Sequence, residues 1–252
     1  MDRIDYLLRD PYHTGTEYGK FDHQRLINTL RILPDVKKGS GRVSLGVELG
    51  GIHSAAALLL ARHFMTTQVY LHRIRVIYDI HLRDFLLGWL PNSEYSTSIG
   101  SILNKWNDVE IMRGIMHPPR RTSALAKDAA QRIVLRKPFH PVYSCSRDSV
   151  DFSVGEAIET DLVHKFGEDL VRRMFDDRAP IKIQFPVVSN GKIISSSSVS
   201  GTIKSIPKYK FDMIFVDPIC EEEAGYVVRR GRLIPKINVN GVANGNRRLV
   251  GF

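Results

Sequence analysis

Cysteine is scarce in this sequence. The two cysteines, Cys145 and Cys220, stand in no CxxC or Cys/His pattern. We therefore expect neither a disulfide framework nor a zinc finger, because both need several thiols or histidines at set spacings. Free thiols are typical of a cytoplasmic protein, and the cytoplasm is the location that we predict.

Long hydrophobic runs are also missing. The longest uninterrupted apolar run extends from Ala55 to Ala61, whereas a membrane-spanning helix needs about 20 apolar residues. The first five residues are Met-Asp-Arg-Ile-Asp, and a start with charge at its second position does not resemble a secretory signal peptide. We expect no membrane among the partners.

Positive charge is in excess. The chain has 36 Lys and Arg residues against 27 Asp and Glu, a formal net charge of +9. Such a balance favours an anionic partner, which could be a nucleotide, a nucleic acid or an acidic protein surface. It is equally typical of an ordinary solvated surface. The hydrophobic content of 43% is sufficient for a sizeable core.

The hydrophobic spacing predicts a mainly α protein with a C-terminal α+β region. We predict a helical domain over residues 1–109 and a smaller mixed region over residues 110–252, whose basic tail, from residue 226 on, is partly disordered. Helices are expected at 2–10, 21–30, 52–90 with a bend near 65–67, 96–106, 109–115, 121–136 and 155–175. Strands are expected twice within 31–49, on either side of a turn at 38–41, and at 140–144, 181–188, 193–206 and 211–216, with a hairpin turn at Asn190-Gly191.

Two helical faces carry the residues that are suited to chemistry. Asp2, Tyr6 and Asp10 follow one another at intervals of four, which puts them on one side of the first helix. In the long helix, Arg62, Thr66, Tyr70 and Arg73 form a similar stripe. Carboxylates, phenols and arginines together suit a phosphate ester, because a guanidinium donates paired hydrogen bonds to phosphate. Either stripe taken alone could equally be a solvated face with ion pairs.

Taken together, these segments resemble a known enzyme family. DYLLRD, a Tyr-containing loop, FDHQRLINTLRI and ARHFMTTQVYLHR occur in this order. Their order and approximate spacing resemble the HD-domain phosphohydrolases, in particular the branch that hydrolyses deoxynucleoside triphosphates. The resemblance implies a truncated HD-like helical core that is followed by a smaller mixed domain. It is specific at residues 2–10 and 61–73 and diffuse after about residue 140.

The resemblance implies a role for each matching position. Asp2 would be the last metal ligand of the HD site, and Arg3 and Arg62 would bind the phosphates.

The remaining matches concern the sugar, the base and an effector nucleotide. Tyr6 would pack on the sugar, Asp10 would accept a hydrogen bond from its 3′-hydroxyl, and Tyr70 would face the sugar or the base. Arg25 and Arg73 match positions that bind an effector in regulated members.

The metal site departs from the family pattern. Members hold a divalent metal (Mn, Mg, Fe or Zn) with an early His, a His-Asp pair and the late Asp, and this chain has nine His but no His-Asp dipeptide. His63, His72 and His81 recur every nine residues, so successive rings point to opposite sides of a helix. We expect this chain alone to bind metal weakly.

Three functions remain open. The first is the C-terminal part of a triphosphate hydrolase, which releases nucleoside and triphosphate once the missing His and His-Asp half is supplied. The second is a non-catalytic protein that binds nucleotide or forms homo-oligomers. The third is a nucleic-acid binder, because residues 113–137 contain seven Lys or Arg and one acid, Asp128.

Overall fold

A computed structural model describes residues 2–34, 42–96, 98–147, 150–176, 184–207 and 209–233. Most of the first half is helical. The helices of this half and of the segment that follows it are α1 (Asp2–Thr14), α2 (His23–Thr29), α3 (Ile52–Met65), α4 (Arg73–Trp89), α5 (Ile99–Lys105), α6 (Asp108–Met116) and α7 (Ala124–Leu135). The second half combines strands with helices, so the predicted fold class is confirmed. The division at residue 109 stays a prediction.

Helix α1 continues past the residue at which we expected it to end. Pro11 lies inside the helix, which runs on to Thr14. The proline ring is buried, and the chain at Gly19 lies directly on that ring and on the carbonyl of Leu7. A proline in the third turn removes one helical hydrogen bond, and packing against the following loop compensates for this loss.

A short helix and a hairpin follow as predicted. The side chain of Asp22 caps α2 by accepting a hydrogen bond from the backbone N–H of Arg25 at 2.9 Å. Strands β1 (Leu30–Pro34) and β2 (Val43–Glu48) pair antiparallel, with Leu30 opposite Val47. The turn that we predicted at residues 38–41 lies outside the described residues.

The long helical region is broken where a bend was expected. Between α3 and α4 the chain forms one π-helical turn, Thr66–Tyr70. The His72 side chain then caps α4 by accepting a hydrogen bond from the N–H of Ile74 at 3.3 Å. The π-turn changes the direction of the chain between two well-packed helices, and such turns are frequent at functional sites.

A three-stranded antiparallel sheet organises the second half. Its order is β3 (His140–Arg147), β7 (Lys210–Val216) and β4 (Val171–Asp176). The central strand β7 is buried on both faces. Ile214 and Val216 pack towards α8 (Phe152–Phe166) and α11 (Glu221–Leu233), whereas Phe211, Met213 and Phe215 pack towards α4.

A mixed sheet joins the two halves of the chain. Its order is β1, β2, β5 (Pro186–Ser189) and β6 (Lys192–Ser195), and β2 pairs parallel with β5. Asn190 and Gly191, both with positive φ, form the predicted turn between β5 and β6.

Two predicted elements are wrong in their extent. The helix expected over 155–175 ends at Phe166, because Gly167 adopts a φ of +89° and the chain then enters β4. The strand expected over 193–206 ends at Ser195 and gives way to two short helices, α9 (Ser196–Val199) and α10 (Gly201–Ser205). The end of α11 also shows that residues 226–233 are helical; the rest of the basic tail lies outside the described residues.

Phe139 connects the helices to the three-stranded sheet. Its ring lies edge-on to His81 of α4 at a centroid distance of 5.1 Å, and its N–H donates to His81 Nε2 at 3.2 Å. The guanidinium groups of Arg132 and Arg172 lie 4.5 and 5.6 Å from the ring centroid. Within the described ranges, no helix is both long and apolar enough to cross a membrane.

Candidate functional site

A hydrogen bond between Tyr70 and Asp10 forms the centre of the candidate site. The phenol of Tyr70 donates to Asp10 Oδ2 at 2.7 Å, although 60 residues separate the two in sequence. Asp10 is supplied by the third turn of α1, and Tyr70 is the last residue of the π-turn. The bond therefore ties the first helix to the break between α3 and α4.

Tyr6 completes a group of three sequence-predicted residues. It lies one turn before Asp10 on α1, and its ring meets that of Tyr70 edge-on, with centroids 6.2 Å apart. All three side chains are half-buried. Two phenol rings and a carboxylate thus form a small surface that presents apolar faces together with a hydrogen-bond acceptor, as recognition of a sugar or a base requires.

Arg75 is a member of the site that sequence reasoning missed. Its guanidinium donates to the backbone carbonyl of Tyr70 and lies 6.0 Å from the centre of the Tyr70 ring. The same side chain pairs with Asp79 at 3.2 Å. These contacts hold the end of the π-turn, and since they depend on the geometry of that turn, no spacing rule predicts them.

The surroundings keep the Tyr70 phenol protonated. Burial, followed by the hydrogen bond and charge of Asp10, raises the pKa of Tyr70 well above its ordinary value. Tyr70 therefore stays a hydrogen-bond donor at every physiological pH. Burial also raises the pKa of the Asp79 carboxyl, and the charge of Arg75 opposes this effect.

The three predicted metal- and phosphate-binding residues lie on helices α1 and α3. Asp2 and Arg3 are exposed in the first turn of α1. Arg62 is half-buried in the last turn of α3, two turns before Tyr70.

The residues that the structure describes do not form a site for a divalent metal. Within the described part of the chain, no group of three or more His, Cys, Asp or Glu side chains could hold a metal ion. Asp2 is a single exposed carboxylate, and one oxygen donor group does not make a tight site for a transition metal or for Mg²⁺. The weak metal binding that we expect of this chain alone stays a prediction.

The two predicted effector residues lie on different helices. Arg25 on α2 donates from Nε and Nη2 to the carbonyl of Gly50, at 3.3 and 3.2 Å. Arg73 is the exposed first residue of α4. Arg25 therefore holds α2 against the start of α3, and its role as an effector ligand stays a prediction.

Some of the basic residues that suggested a nucleic-acid surface have other partners. Arg132 donates to Asp128 and to Asp217, each at 2.6 Å. Lys127 donates to the carbonyl of Arg120 at 2.9 Å. Arg132 thus joins α7 to the end of β7, and its charge is compensated within the fold.

Comparison with known proteins gives a consistent family relationship. Residues 21–197 match the model of a family described as the HD associated region. An uncharacterised protein of Methanocaldococcus jannaschii is 44% identical over 71 residues, which are 28% of this chain and 15% of that protein. The uncharacterised protein YwfO of Bacillus subtilis is 34% identical over 73 residues, which are 29% of this chain and 15% of YwfO.

Solved structures extend this similarity to most of the fold. A hypothetical protein from Aquifex aeolicus superposes with a TM-score of 0.73 at 28% identity, over 90% of this chain and 56% of that one. A phosphohydrolase from Bacteroides thetaiotaomicron superposes with a TM-score of 0.55 at 20% identity, over 85% of this chain and 60% of that one. The chain thus corresponds to little more than half the length of these structures.

Proposed function

The chain belongs to the family of HD-associated regions, and from this premise we propose that it is the nucleotide-recognition part of an HD-type phosphohydrolase. The fold similarity to a phosphohydrolase supports an enzyme of this class. The observation that carries the proposal is the group of Tyr6, Asp10 and Tyr70, which two distant segments bring together.

Each residue of the group has a chemical task in the proposal. One oxygen of Asp10 accepts the Tyr70 hydroxyl, so the carboxylate has a fixed orientation and its other oxygen can accept the 3′-hydroxyl of a deoxyribose. The rings of Tyr6 and Tyr70 offer apolar surface to the sugar and base. Arg62 and Arg3 supply guanidinium groups for the triphosphate.

The reaction that we propose is hydrolysis of a deoxynucleoside triphosphate. Water attacks the α-phosphorus, the bond to the 5′-oxygen of the sugar breaks, and nucleoside and triphosphate leave. The described residues do not contain the metal ligands that this chemistry requires. Hydrolysis is therefore proposed only for the chain combined with a segment that carries a His and a His-Asp pair.

A second candidate function is nucleotide binding without hydrolysis. It is favoured by the same lack of a metal-binding group among the described residues. In this case the chain would regulate or assemble with a complete relative, and the Asp10–Tyr70 group would serve affinity alone.

Calorimetric titration with the four deoxynucleoside triphosphates tests recognition. We expect binding by the unchanged chain and at least about tenfold weaker binding by Asp10→Asn, since a hydrogen bond to a charged group contributes about 1.5–3 kcal/mol. Tyr12→Phe is the matched control, because Tyr12 lies on the same helix and is 84% exposed. Equal affinities of all three proteins would refute the proposed site.

Product analysis separates the two candidate functions. The chain is mixed with a separately produced segment that carries a His and a His-Asp pair, and nucleoside release is followed by chromatography. Release that needs both components supports the enzyme; undiminished binding without any release supports the regulator.

A further inference from the structure

Helix α6 carries apolar side chains on two different faces. Ile111 and Ile115 face inward and pack with α4 and α7. Val109, Met112 and Met116, at spacings of three and four, lie on the other side and are 74%, 49% and 58% exposed. A helix that is apolar on both sides is normally buried on both, so this outer stripe is unexpected for a surface helix.

The preceding helix also exposes apolar side chains. Ile99 and Ile102 of α5 are 76% and 47% exposed. Both helices are anchored at Trp89, since Trp106 at the end of α5 meets its ring edge-on at 5.3 Å and Gly114 of α6 packs closely against it. The α5–α6 apolar surface is defined here as Ile99, Ile102, Val109, Met112 and Met116. Grouped exposed apolar side chains of this kind are typical of protein–protein contacts.

The charges beside the outer stripe would be complementary between two copies of this helix. Asp108 and Glu110 lie in the first turn of α6, and Arg113 lies in its last turn. Within one chain, Glu110 and Arg113 are 3.6 Å apart in a long, exposed contact. Two antiparallel copies of α6 would place each acidic first turn beside the other copy's Arg113. Their helix dipoles would also be antiparallel, which is favourable.

We propose that the α5–α6 apolar surface is a two-fold interface at which a second copy of this chain binds. The axis passes beside Met112, so the outer stripes of two α6 helices pack against each other in antiparallel orientation. Glu110 of each copy then pairs with Arg113 of its partner. A two-fold contact needs a self-complementary patch, and one helix supplies both its apolar centre and its paired charges.

Sedimentation velocity of the full chain over a wide concentration range tests this interface. We expect a dimer for the unchanged chain and at least about a hundredfold weaker association for Met112→Glu, because its carboxylate would be buried without a partner. Ile219→Glu is the matched control, since Ile219 is 85% exposed and lies outside the surface. Its dimer should be unchanged.

Charge reversal provides a second test that leaves the apolar stripe intact. Glu110→Arg and Arg113→Glu should each weaken self-association, and an equimolar mixture of the two variants should form the mixed dimer. The double variant should dimerise like the original chain. A monomeric unchanged chain, or a dimer that Met112→Glu leaves intact, would overturn the proposal; so would a failure of the mixed variants to associate.

Discussion

Removing the Tyr70 hydroxyl should lower the free energy of unfolding by a measurable amount. It should do so only while the Asp10 carboxylate is present. Tyr70→Phe deletes the donor of a 2.7 Å hydrogen bond to a carboxylate. A bond to a charged group contributes about 1.5–3 kcal/mol. The Asp10 side chain is 32% exposed and can be rehydrated, so we expect a loss at or below the lower end of this range, about 1–1.5 kcal/mol.

A double-mutant cycle isolates this contribution. Tyr70→Phe, Asp10→Ala and the double variant are unfolded in urea and followed by the fluorescence of the two tryptophans. The expected coupling energy is about 1 kcal/mol, and Tyr12→Phe should leave stability unchanged. A coupling energy within about 0.3 kcal/mol of zero would refute the bond, because distant independent sites show additivity of this quality.

Two further predictions concern the core that positions the site. Asp212→Asn should destabilise the fold by about 1.5–3 kcal/mol in urea unfolding, because it weakens the charge-assisted hydrogen bonds from buried Arg173, whose Nε and Nη2 donate to Asp212 at 2.8 and 2.9 Å. Arg173 keeps its second carboxylate partner, Glu159, at 3.0 Å, so the charge is not left unpaired. A loss below about 0.5 kcal/mol would contradict this. His81 is buried, and its burial, aided by the charge of Arg132, lowers its pKa to about 4 from 6.5. The folded state holds the His81 ring in its neutral form. The contribution of His81 to stability is therefore fully present above pH 6.5 and is lost as the pH falls toward about 4. The unchanged chain should therefore lose up to about 3 kcal/mol more than His81→Gln over this interval, and parallel pH profiles of the two proteins would show that His81 does not titrate in this way.

The sequence predicts the helices better than the elements that follow them. Segments with strong 3.6-residue periodicity, such as α3, α4 and α7, lie where their spacing places them. The extension of a helix through Gly167 was wrong, because the strand β4 is stabilised by pairing with β7, and β7 is about 35–45 residues away in sequence. Pairing over such distances leaves no local signal at residues 171–176.

In the candidate site, too, some residues could be predicted from the sequence and others could not. Tyr6 and Asp10 could be grouped from their spacing on one helix, and Tyr70 from the family resemblance. Arg75 could not be found, because its contact with the Tyr70 carbonyl exists only after the π-turn has formed. The half-buried pairing of Arg132 with Asp217 could likewise not be predicted, since 85 residues separate them.

A comparison of nucleotides with and without a 3′-hydroxyl tests the proposed sugar contact most directly. Calorimetric affinities are compared between a deoxynucleoside triphosphate and its 2′,3′-dideoxy analogue, for the unchanged chain and for Asp10→Asn. We predict that the unchanged chain prefers the 3′-hydroxyl by at least about tenfold and that Asp10→Asn loses most of this preference. Equal affinity of the unchanged chain for both nucleotides, or a preference that survives Asp10→Asn, would contradict the assignment of Asp10 to the sugar.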